Sequence, residues 1–210
     1  MNVKRFLLIF LILTISLSSC TISINENNYL LMSEDERRHF VALPSPLRSD
    51  YEVVSAESDS FRVYELCPHV LEQILEKSKY SLIYVWPPYC RSEGSKSALS
   101  VMLNLRQKYA ADGLNVMLIS NSYSLKEIRR GLLDTKYNLP VYVLGNSCYG
   151  SKQGGARKKL ARELDRNKLL GKNAYFSTYF LTDTMLLKAA WQIPELNIDS
   201  LIRIGQLQNN

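Results

Sequence analysis

Blocks of apolar residues along the chain predict an alternation of strands and helices. The run 81–86 is continuously apolar, the run 114–120 is predominantly apolar, and both have the length of strands that are buried on both faces. Between them, residues 92–111 carry apolar side chains at helical spacing, which predicts a helix that joins the two strands. The same reasoning predicts further elements: helices at 68–79 and 124–134 and a strand at 140–144.

The C-terminal part of the chain continues with a helix, two strands and a last helix. Residues 155–170 predict a basic helix, and residues 175–182 predict an aromatic-rich strand with 185–191 as its hairpin partner. A last helix is expected over 194–207, with residue 199 or 200 as the alternative start. Strands that alternate with helices and end in a hairpin predict an α/β sandwich with a mixed central sheet.

The first sixty residues have weak periodicity and predict an irregular N-terminal extension. Ser33 followed by Glu36 matches a capping box, which predicts a short helix over 33–38. The rest of the segment up to residue 60 is expected to be loop with one strand, and residues 21–28 are expected to form a tether.

The N-terminus has the features of a secretory signal. Lys4 and Arg5 precede an uncharged apolar run over 6–17, which is shorter than the about 20 residues that a membrane-spanning helix needs. The following Leu-Ser-Ser-Cys20 resembles the lipobox of bacterial lipoproteins and implies that Cys20 carries acyl chains such as palmitate. The alternative is an ordinary signal peptide that is cut near a chance cysteine.

The lipobox resemblance sets the expected domain organisation and location. Residues 1–19 are the expected signal peptide, 20–60 a lipidated tether and extension, and 61–210 the folded domain. Several acyl chains would hold the protein firmly on a membrane. We therefore expect a lipid-anchored protein of the bacterial cell envelope, with its domain in the periplasm or at the cell surface.

Charge and cysteine content change once the signal is removed. The whole chain has a formal charge of +6, from 26 basic and 20 acidic residues, and loss of Lys4 and Arg5 lowers it to +4. Three of the four cysteines stay in the mature domain, and the compartment outside the inner membrane permits disulfides. Three cysteines allow three single pairings, of which Cys67 with Cys148 is a possible structural disulfide.

The segment Trp86-Pro-Pro-Tyr-Cys90-Arg-Ser-Glu93 follows the predicted strand 81–86 and opens a predicted helix. It resembles the active-site segment of membrane-associated thioredoxin-like proteins of the TlpA/ResA kind, whose pattern is Trp-Cys-x-x-Cys-Arg-x-Glu. The resemblance covers about residues 61–207 and implies a thioredoxin-like three-layer sandwich. Aligning the two patterns places Cys90 on the second, resolving cysteine and Pro87 on the first, nucleophilic one.

A second segment carries the resemblance to the other side of the family's active site. Residues 175–183 are similar to the family's x-Pro-Thr-Thr-Phe-Leu-Ile-Asp strand, and Ser177 stands where the family has a cis-proline. The active-site loop and its neighbour implied by the resemblance comprise these residues: Trp86, Pro87, Pro88, Tyr89, Cys90, Arg91, Glu93 and Ser177.

The loss of the first motif cysteine leaves two functional hypotheses. A local two-thiol cycle cannot run, because it needs one thiol to attack and a second to resolve the mixed disulfide. A helix N-terminus and Arg91 both favour a Cys90 thiolate, whereas burial of the second motif position opposes it. Cys90 is therefore either a single exchanging thiol, with an enzymatic role left open, or an inert residue in a non-catalytic module that binds a polypeptide partner.

Other candidate sites have simpler interpretations. His39 and His69 have no spacing that would form a metal site, and no cofactor-binding motif is present. Residues 152–172 contain eight basic and two acidic residues, which predicts either a solvated helix face or a surface for anionic lipid head groups. Nucleic acid is not an expected partner, and the oligomeric state is left open.

Overall fold

The computed structural model describes the chain in six stretches: residues 28–43, 56–90, 92–135, 137–171, 176–183 and 185–208. The predicted signal segment, the predicted acylation site Cys20, and Arg91 of the motif lie outside these residues. Within the described stretches, no helix has both the length and the apolar character needed to cross a membrane.

Seven strands form one mixed sheet in the order β1-β2-β5-β4-β3-β6-β7. The first five strands are parallel to their neighbours, whereas β6 pairs antiparallel with β3 and β7 pairs antiparallel with β6. The strands are β1 (Phe40–Ala42), β2 (Val63–Leu66), β3 (Tyr80–Trp86), β4 (Leu114–Ser120), β5 (Val141–Leu144), β6 (Thr178–Thr182) and β7 (Met185–Ala190).

Helices cover both faces of the sheet and make the molecule a three-layer sandwich. They are α1 (Asn28–Leu31), α2 (Glu34–Arg37), α3 (Pro68–Glu76), α4 (Glu93–Lys108), α5 (Leu125–Leu133), α6 (Asn146–Tyr149), α7 (Gln153–Leu164) and α8 (Ile198–Gln208). One apolar cluster joins one sheet face to α4, α5 and α8, and a second cluster joins the other face to α3 and α7. Every residue of β3 is buried, as its continuous apolar run predicted.

The topology confirms the predicted thioredoxin-like α/β class. Parallel strands joined by helices lead to the central strand β3, and an antiparallel hairpin followed by a helix closes the fold. The predicted strand in the N-terminal extension is β1, which pairs with β2 at the edge of the sheet, so this part of the extension is regular. The Ser33–Glu36 capping box is also confirmed, with both of its reciprocal hydrogen bonds present.

Three predicted element boundaries were wrong. The basic helix ends at Leu164, and not at residue 170, because the Asp165 carboxylate accepts hydrogen bonds from the backbone N–H groups of Leu169 and Leu170. Strand β6 begins at Thr178, because the Tyr179 hydroxyl bonds both backbone groups of Phe176 and draws them away from the ladder.

The third boundary is the start of the last helix, where residue 194 was wrong and the alternative start at residue 199 or 200 was within two residues of the observed one. The helix begins at Ile198, since Pro194 lies in a separate 3-10 turn (Ile193–Glu195) and Asn197 caps the helix. The Asn197 side chain accepts a hydrogen bond from the Ser200 N–H, and its carbonyl accepts one from Leu201. The segment after β5 forms the short helix α6.

Candidate functional site

The motif loop lies where the central strand ends, at the edge of the sheet formed by the carboxyl ends of the parallel strands. Trp86 is the last residue of β3, and its carbonyl accepts a hydrogen bond from the Asn121 N–H at 2.9 Å, just beyond β4. On the other side, the Val85 N–H donates to the Ser177 carbonyl at 2.7 Å. The structure thus places Ser177 beside the motif loop, with which the sequence pattern had grouped it.

A tight turn carries the chain from β3 into α4. The Cys90 N–H donates to the Pro87 carbonyl at 3.0 Å, so residues 87 and 90 stand at the two ends of one turn. Pro88 is buried inside this turn, whereas Cys90 is half-buried. The turn therefore holds Cys90, whose sulfur is disulfide-bonded, two residues before the Ser92 N-cap of α4, and Pro88 packs inward.

Ser92 caps α4 and lies beside the Cys90 sulfur. Its hydroxyl accepts a hydrogen bond from the Ser95 N–H at 3.3 Å and lies 3.4 Å from Cys90 Sγ. Glu93 is the first helical residue and its side chain is exposed. An acidic residue in the first turn is favourable for the helix dipole, so the position of Glu93 indicates a role in starting the helix.

Two clefts meet at Cys90. The larger, of about 270 Å³, lies between α4 and α5 and has Trp86, Leu99 and Gly131 at its floor. The smaller, of about 200 Å³, lies between α4 and the 3-10 turn that contains Pro194. Cys90 lines both clefts, so a molecule bound in either one would contact this residue.

The charges around the larger cleft are of both signs. Lys96 forms an ion pair with Asp134 at 3.4 Å across the cleft, and both side chains are about half-exposed. Glu127 and Arg130 add one charge of each sign. The walls are therefore polar and balanced, whereas the floor is apolar, a combination suited to a polypeptide segment.

The smaller cleft has a neutral, apolar character. Burial raises the pKa of the Tyr84 hydroxyl at its floor, so this group stays protonated at neutral pH. Beyond its rim, Trp191 is 55 % exposed and lies 5.4 Å, between ring centroids, from Phe176. An exposed tryptophan beside a cleft is typical of surfaces that bind other proteins.

Trp86 and Tyr89 hold the loop against the rest of the domain. Trp86 is fully buried against Gly131 of α5, and the Tyr89 hydroxyl accepts a hydrogen bond from the Asn121 amide at 3.1 Å. Gly131 and Asn121 were missed by the sequence reasoning. The only available signal was a glycine inside an otherwise regular amphipathic helix, which often marks a close approach.

Cys67 and Cys148 are joined by a disulfide farther along the same edge of the sheet. Their Cα atoms are 5.6 Å apart, and 81 positions separate them in the sequence. Cys67 follows β2 and Cys148 follows β5, which is its neighbour, whereas Cys90 follows β3. Because β5 and β3 are two strands apart, about 10 Å, the structure separates this pair from the motif loop.

The basic helix contacts the site through Arg157. Its guanidinium lies 3.4 Å from the Phe176 carbonyl and 3.5 Å from the Ser177 hydroxyl. The residue at the family's cis-proline position is thus linked to α7 as well as to β3. Within the described stretches, no group of three or more His, Cys, Asp or Glu side chains could hold a metal ion.

Comparison with solved structures finds thioredoxin-like proteins at low similarity. The thioredoxin domain of a thiol-disulfide oxidoreductase from Bacteroides vulgatus is 11% identical, covers 60% of this chain and 81% of its own, and has a TM-score of 0.41. A protein described as the thiol:disulfide interchange protein DsbE, from Chlorobium tepidum, has 10% identity, coverages of 61% and 80%, and a TM-score of 0.40.

A third structure, AhpC from Mycobacterium tuberculosis, is 13% identical over 64% of this chain and 75% of its own, with a TM-score of 0.38. Similarity at this level carries no conclusion on activity. No family model and no curated protein matches the chain.

Proposed function

We propose that the protein is a lipid-anchored, thioredoxin-like protein of the bacterial envelope that exchanges disulfides with polypeptides through Cys90. The observation that carries this proposal is the position of Cys90, which is half-buried, lies two residues before the N-cap of α4, and lines two clefts. The Cys90 sulfur is disulfide-bonded in the structure. The proposed cycle starts once a polypeptide thiolate has exchanged into that bond and released the Cys90 thiolate, which the nearby helix N-terminus favours and which is the nucleophile in disulfide exchange.

The exchange step needs only the cysteines of the polypeptide as co-reactants. The Cys90 thiolate attacks one sulfur of a polypeptide disulfide, so that a Cys90–polypeptide bond forms and the polypeptide bond breaks. The electron pair leaves with the second polypeptide sulfur, which becomes a thiolate. A polypeptide thiolate then attacks the mixed disulfide and regenerates the Cys90 thiolate, leaving a rearranged disulfide and no net oxidation.

The absence of a cysteine at position 87 favours rearrangement over net reduction or oxidation. A second thiol in the same turn would resolve the mixed disulfide within the protein, whereas Pro87 cannot. Because Cys67 and Cys148 are joined to each other about two strands away, resolution by the polypeptide's own thiols is the simplest route.

The envelope location is supported by the N-terminal sequence and by the disulfide. The apolar run over 6–17 and the following Cys20 have the pattern of a lipoprotein signal. A disulfide such as Cys67–Cys148 is typical of proteins outside the cytoplasm. The proposed organisation is a signal peptide over 1–19, a tether and extension over 20–60, and the thioredoxin-like domain over 61–210.

Trapping of mixed disulfides tests the proposal directly. Bacterial cells that express the full chain are quenched with acid, alkylated and analysed on non-reducing gels. We expect covalent complexes with the wild type and none with Cys90→Ser. A Cys67→Ser, Cys148→Ser double variant serves as the control and is expected to retain the complexes. Complexes that persist in Cys90→Ser, or no complexes with the wild type, would contradict the proposal.

A non-catalytic polypeptide-binding module is the second candidate. Pro87 and Ser177 favour it, because they stand where the family has its first cysteine and its cis-proline. Both clefts beside the motif loop are nevertheless present. This function predicts that Cys90→Ser binds the same partner with unchanged affinity. Crosslinking with a lysine-reactive reagent, which does not depend on cysteine, measures that binding in both the wild type and the variant.

A further inference from the structure

We propose that the outward face of α7, formed by Lys158, Lys159 and Arg162 and called the basic face below, docks on an anionic lipid membrane. The proposal rests on the membrane anchor at Cys20 proposed above. It adds a second contact between the protein and the membrane, and this contact determines which side of the domain faces the lipid.

The geometry of α7 gathers its positive charge on one side. Ala156, Leu160, Ala161 and Leu164 are buried against the sheet and form the inner side of the helix. At 100° per residue, the three basic residues lie on the opposite side, and all three side chains are exposed. The basic face therefore projects away from the core as one patch.

The basic face is only partly neutralised by the rest of the domain. Glu163, the acidic residue nearest in sequence, accepts a hydrogen bond from the Tyr149 hydroxyl and interacts electrostatically with Lys159. The ion pairs found among the described residues are Arg38–Asp35, Lys96–Asp134, Lys108–Asp199 and Arg166–Glu72, and none of them uses the basic face. Its charge is therefore available to an external anionic surface.

The stability of the helix does not account for this charge pattern. Lys158 and Arg162 are one turn apart and repel each other. The first turn contains no acidic residue, and Lys152 occupies the N-cap without a side-chain cap hydrogen bond, although the helix dipole favours negative charge there. Lys158 and Arg162 repel each other and take part in none of the ion pairs found among the described residues, which is the pattern expected of a surface that binds a partner.

Tyr29, near the start of the described chain, packs on the sheet face that carries α4 and α5, at the edge where Tyr123 also meets α7. The Tyr29 ring packs on Tyr123, with centroids 4.9 Å apart, and Tyr123 lines a small cavity together with Ala156 and Arg157 of α7. Asn28 lies eight positions after Cys20, and an extended chain over that interval reaches at most about 28 Å. A lipid on Cys20 would therefore keep the membrane within reach of α7, whose length is about 18 Å.

Docking through the basic face would leave the larger cleft open to the aqueous side. Helix α7 covers one face of the sheet, whereas α4 and α5, which form that cleft, cover the other. Lipid and cleft would then lie on opposite sides of the sandwich. A polypeptide partner would reach Cys90 from solution, without competing with the membrane.

Vesicle binding by the mature chain, residues 20–210, tests this surface without the apolar signal segment. A Cys20→Ser background also removes the acylation site, and binding is measured by cosedimentation with vesicles of phosphatidylcholine, alone or mixed with phosphatidylglycerol. The test variant carries Lys158→Gln, Lys159→Gln and Arg162→Gln. The matched control carries Lys126→Gln, Lys188→Gln and Arg203→Gln, three exposed basic residues outside α7, and has the same net charge.

We expect the chain to bind the anionic vesicles, and binding to weaken as salt rises from about 0.1 M to 1 M. The basic-face variant is expected to bind the anionic vesicles about 100-fold more weakly than the unsubstituted chain. The control variant is expected to bind them more tightly than the basic-face variant, by a factor between several-fold and several tens of fold. Equal losses in the two variants, equal binding to pure phosphatidylcholine, or binding to polyglutamate but not to vesicles would overturn the proposal.

Labelling of cells with radioactive palmitate separates this proposal from the anchor. Loss of label in Cys20→Ser supports the anchor, whatever the vesicles show. An unlabelled wild type with salt-sensitive binding through the basic face would overturn the anchor and support the lipid surface. A labelled wild type with equal binding of both triple variants would overturn the basic face alone.

Discussion

Replacement of Gly131 by alanine tests how tightly the motif loop is held by α5. A Cβ atom at this position would lie 2.4 Å and 2.7 Å from Cζ2 and Cη2 of the Trp86 ring. Carbon atoms in contact are normally about 3.5–4.0 Å apart, so the ring or the helix must move by about 1 Å. Trp86 is fully buried at the end of β3, so the ring has little room to move.

Two opposing effects determine the size of the change. Alanine in place of glycine inside a helix raises the free energy of unfolding by about 1 kcal/mol. Overpacking of a buried site lowers it by about 1–3 kcal/mol. For Gly131→Ala we therefore expect a net loss of up to about 2 kcal/mol, the opposite sign to the ordinary helix effect.

Gly155→Ala in α7 is the matched control. A Cβ atom there meets only Lys152 Cβ, at 4.0 Å, which is an ordinary contact. This variant is expected to gain about 0.5–1 kcal/mol. Urea unfolding followed by far-ultraviolet circular dichroism gives both free energies, and equal slopes show that the unfolded states are comparable.

Introducing Gly131→Ala into a Trp86→Phe background tests whether contact with the Trp86 ring causes the loss of stability. Phenylalanine lacks the two ring carbons that face Gly131, so Gly131→Ala should cost at least about 1 kcal/mol less in this background than in the wild type. The reasoning would be refuted if Gly131→Ala stabilised the wild type as much as Gly155→Ala does, or if Trp86→Phe left its effect unchanged.

Three further predictions concern the cysteines and one buried carboxyl group. Pro87→Cys should restore a two-thiol motif, because residues 87 and 90 are the two ends of one hydrogen-bonded turn, and the ends of such turns lie within about 7 Å of each other. The rate of insulin reduction should rise well above that of the wild type, whereas Pro88→Cys should leave it unchanged. Cys67→Ser should lower the free energy of unfolding, measured in urea, by about 2–4.5 kcal/mol, because the Cys67–Cys148 disulfide closes a loop of 81 residues. An equal loss of stability in the wild type after reduction with dithiothreitol would support this cause. An unchanged free energy of unfolding in Cys67→Ser would contradict it. Burial raises the pKa of Glu163 above its ordinary 4.5, so the folded state binds the Glu163 proton more tightly than the unfolded state does. Protonated Glu163 therefore contributes to stability below about pH 4.5, and this contribution is lost as pH rises through the pKa of the folded state. Glu163→Gln should therefore be more stable than the wild type at pH 7 and lose that advantage as pH falls toward 4.5 in thermal unfolding; an advantage that grows on acidification would contradict this assignment.

The sequence alone predicted the elements that depend on near neighbours. The helix after Ser33 is started by hydrogen bonds between residues three apart, and the strand over 114–120 is a short, predominantly apolar run. The motif loop was also predicted, because a strand, a turn and a capped helix follow one another directly from Trp86 to Glu93. These features need no information on distant parts of the chain.

Contacts between distant parts of the chain were decided only by the tertiary structure. Cys67 and Cys148 are 81 residues apart, and their pairing follows from the sheet order, which places β2 beside β5. The site itself depends on Gly131, which approaches Trp86 only when α5 packs on the sheet face that also carries α4. Local hydrogen bonds and hydrophobic periodicity depend on residues that are close in sequence, so a short segment is enough to predict them. The contacts described here depend on how whole strands and helices pack together, which a short segment does not determine.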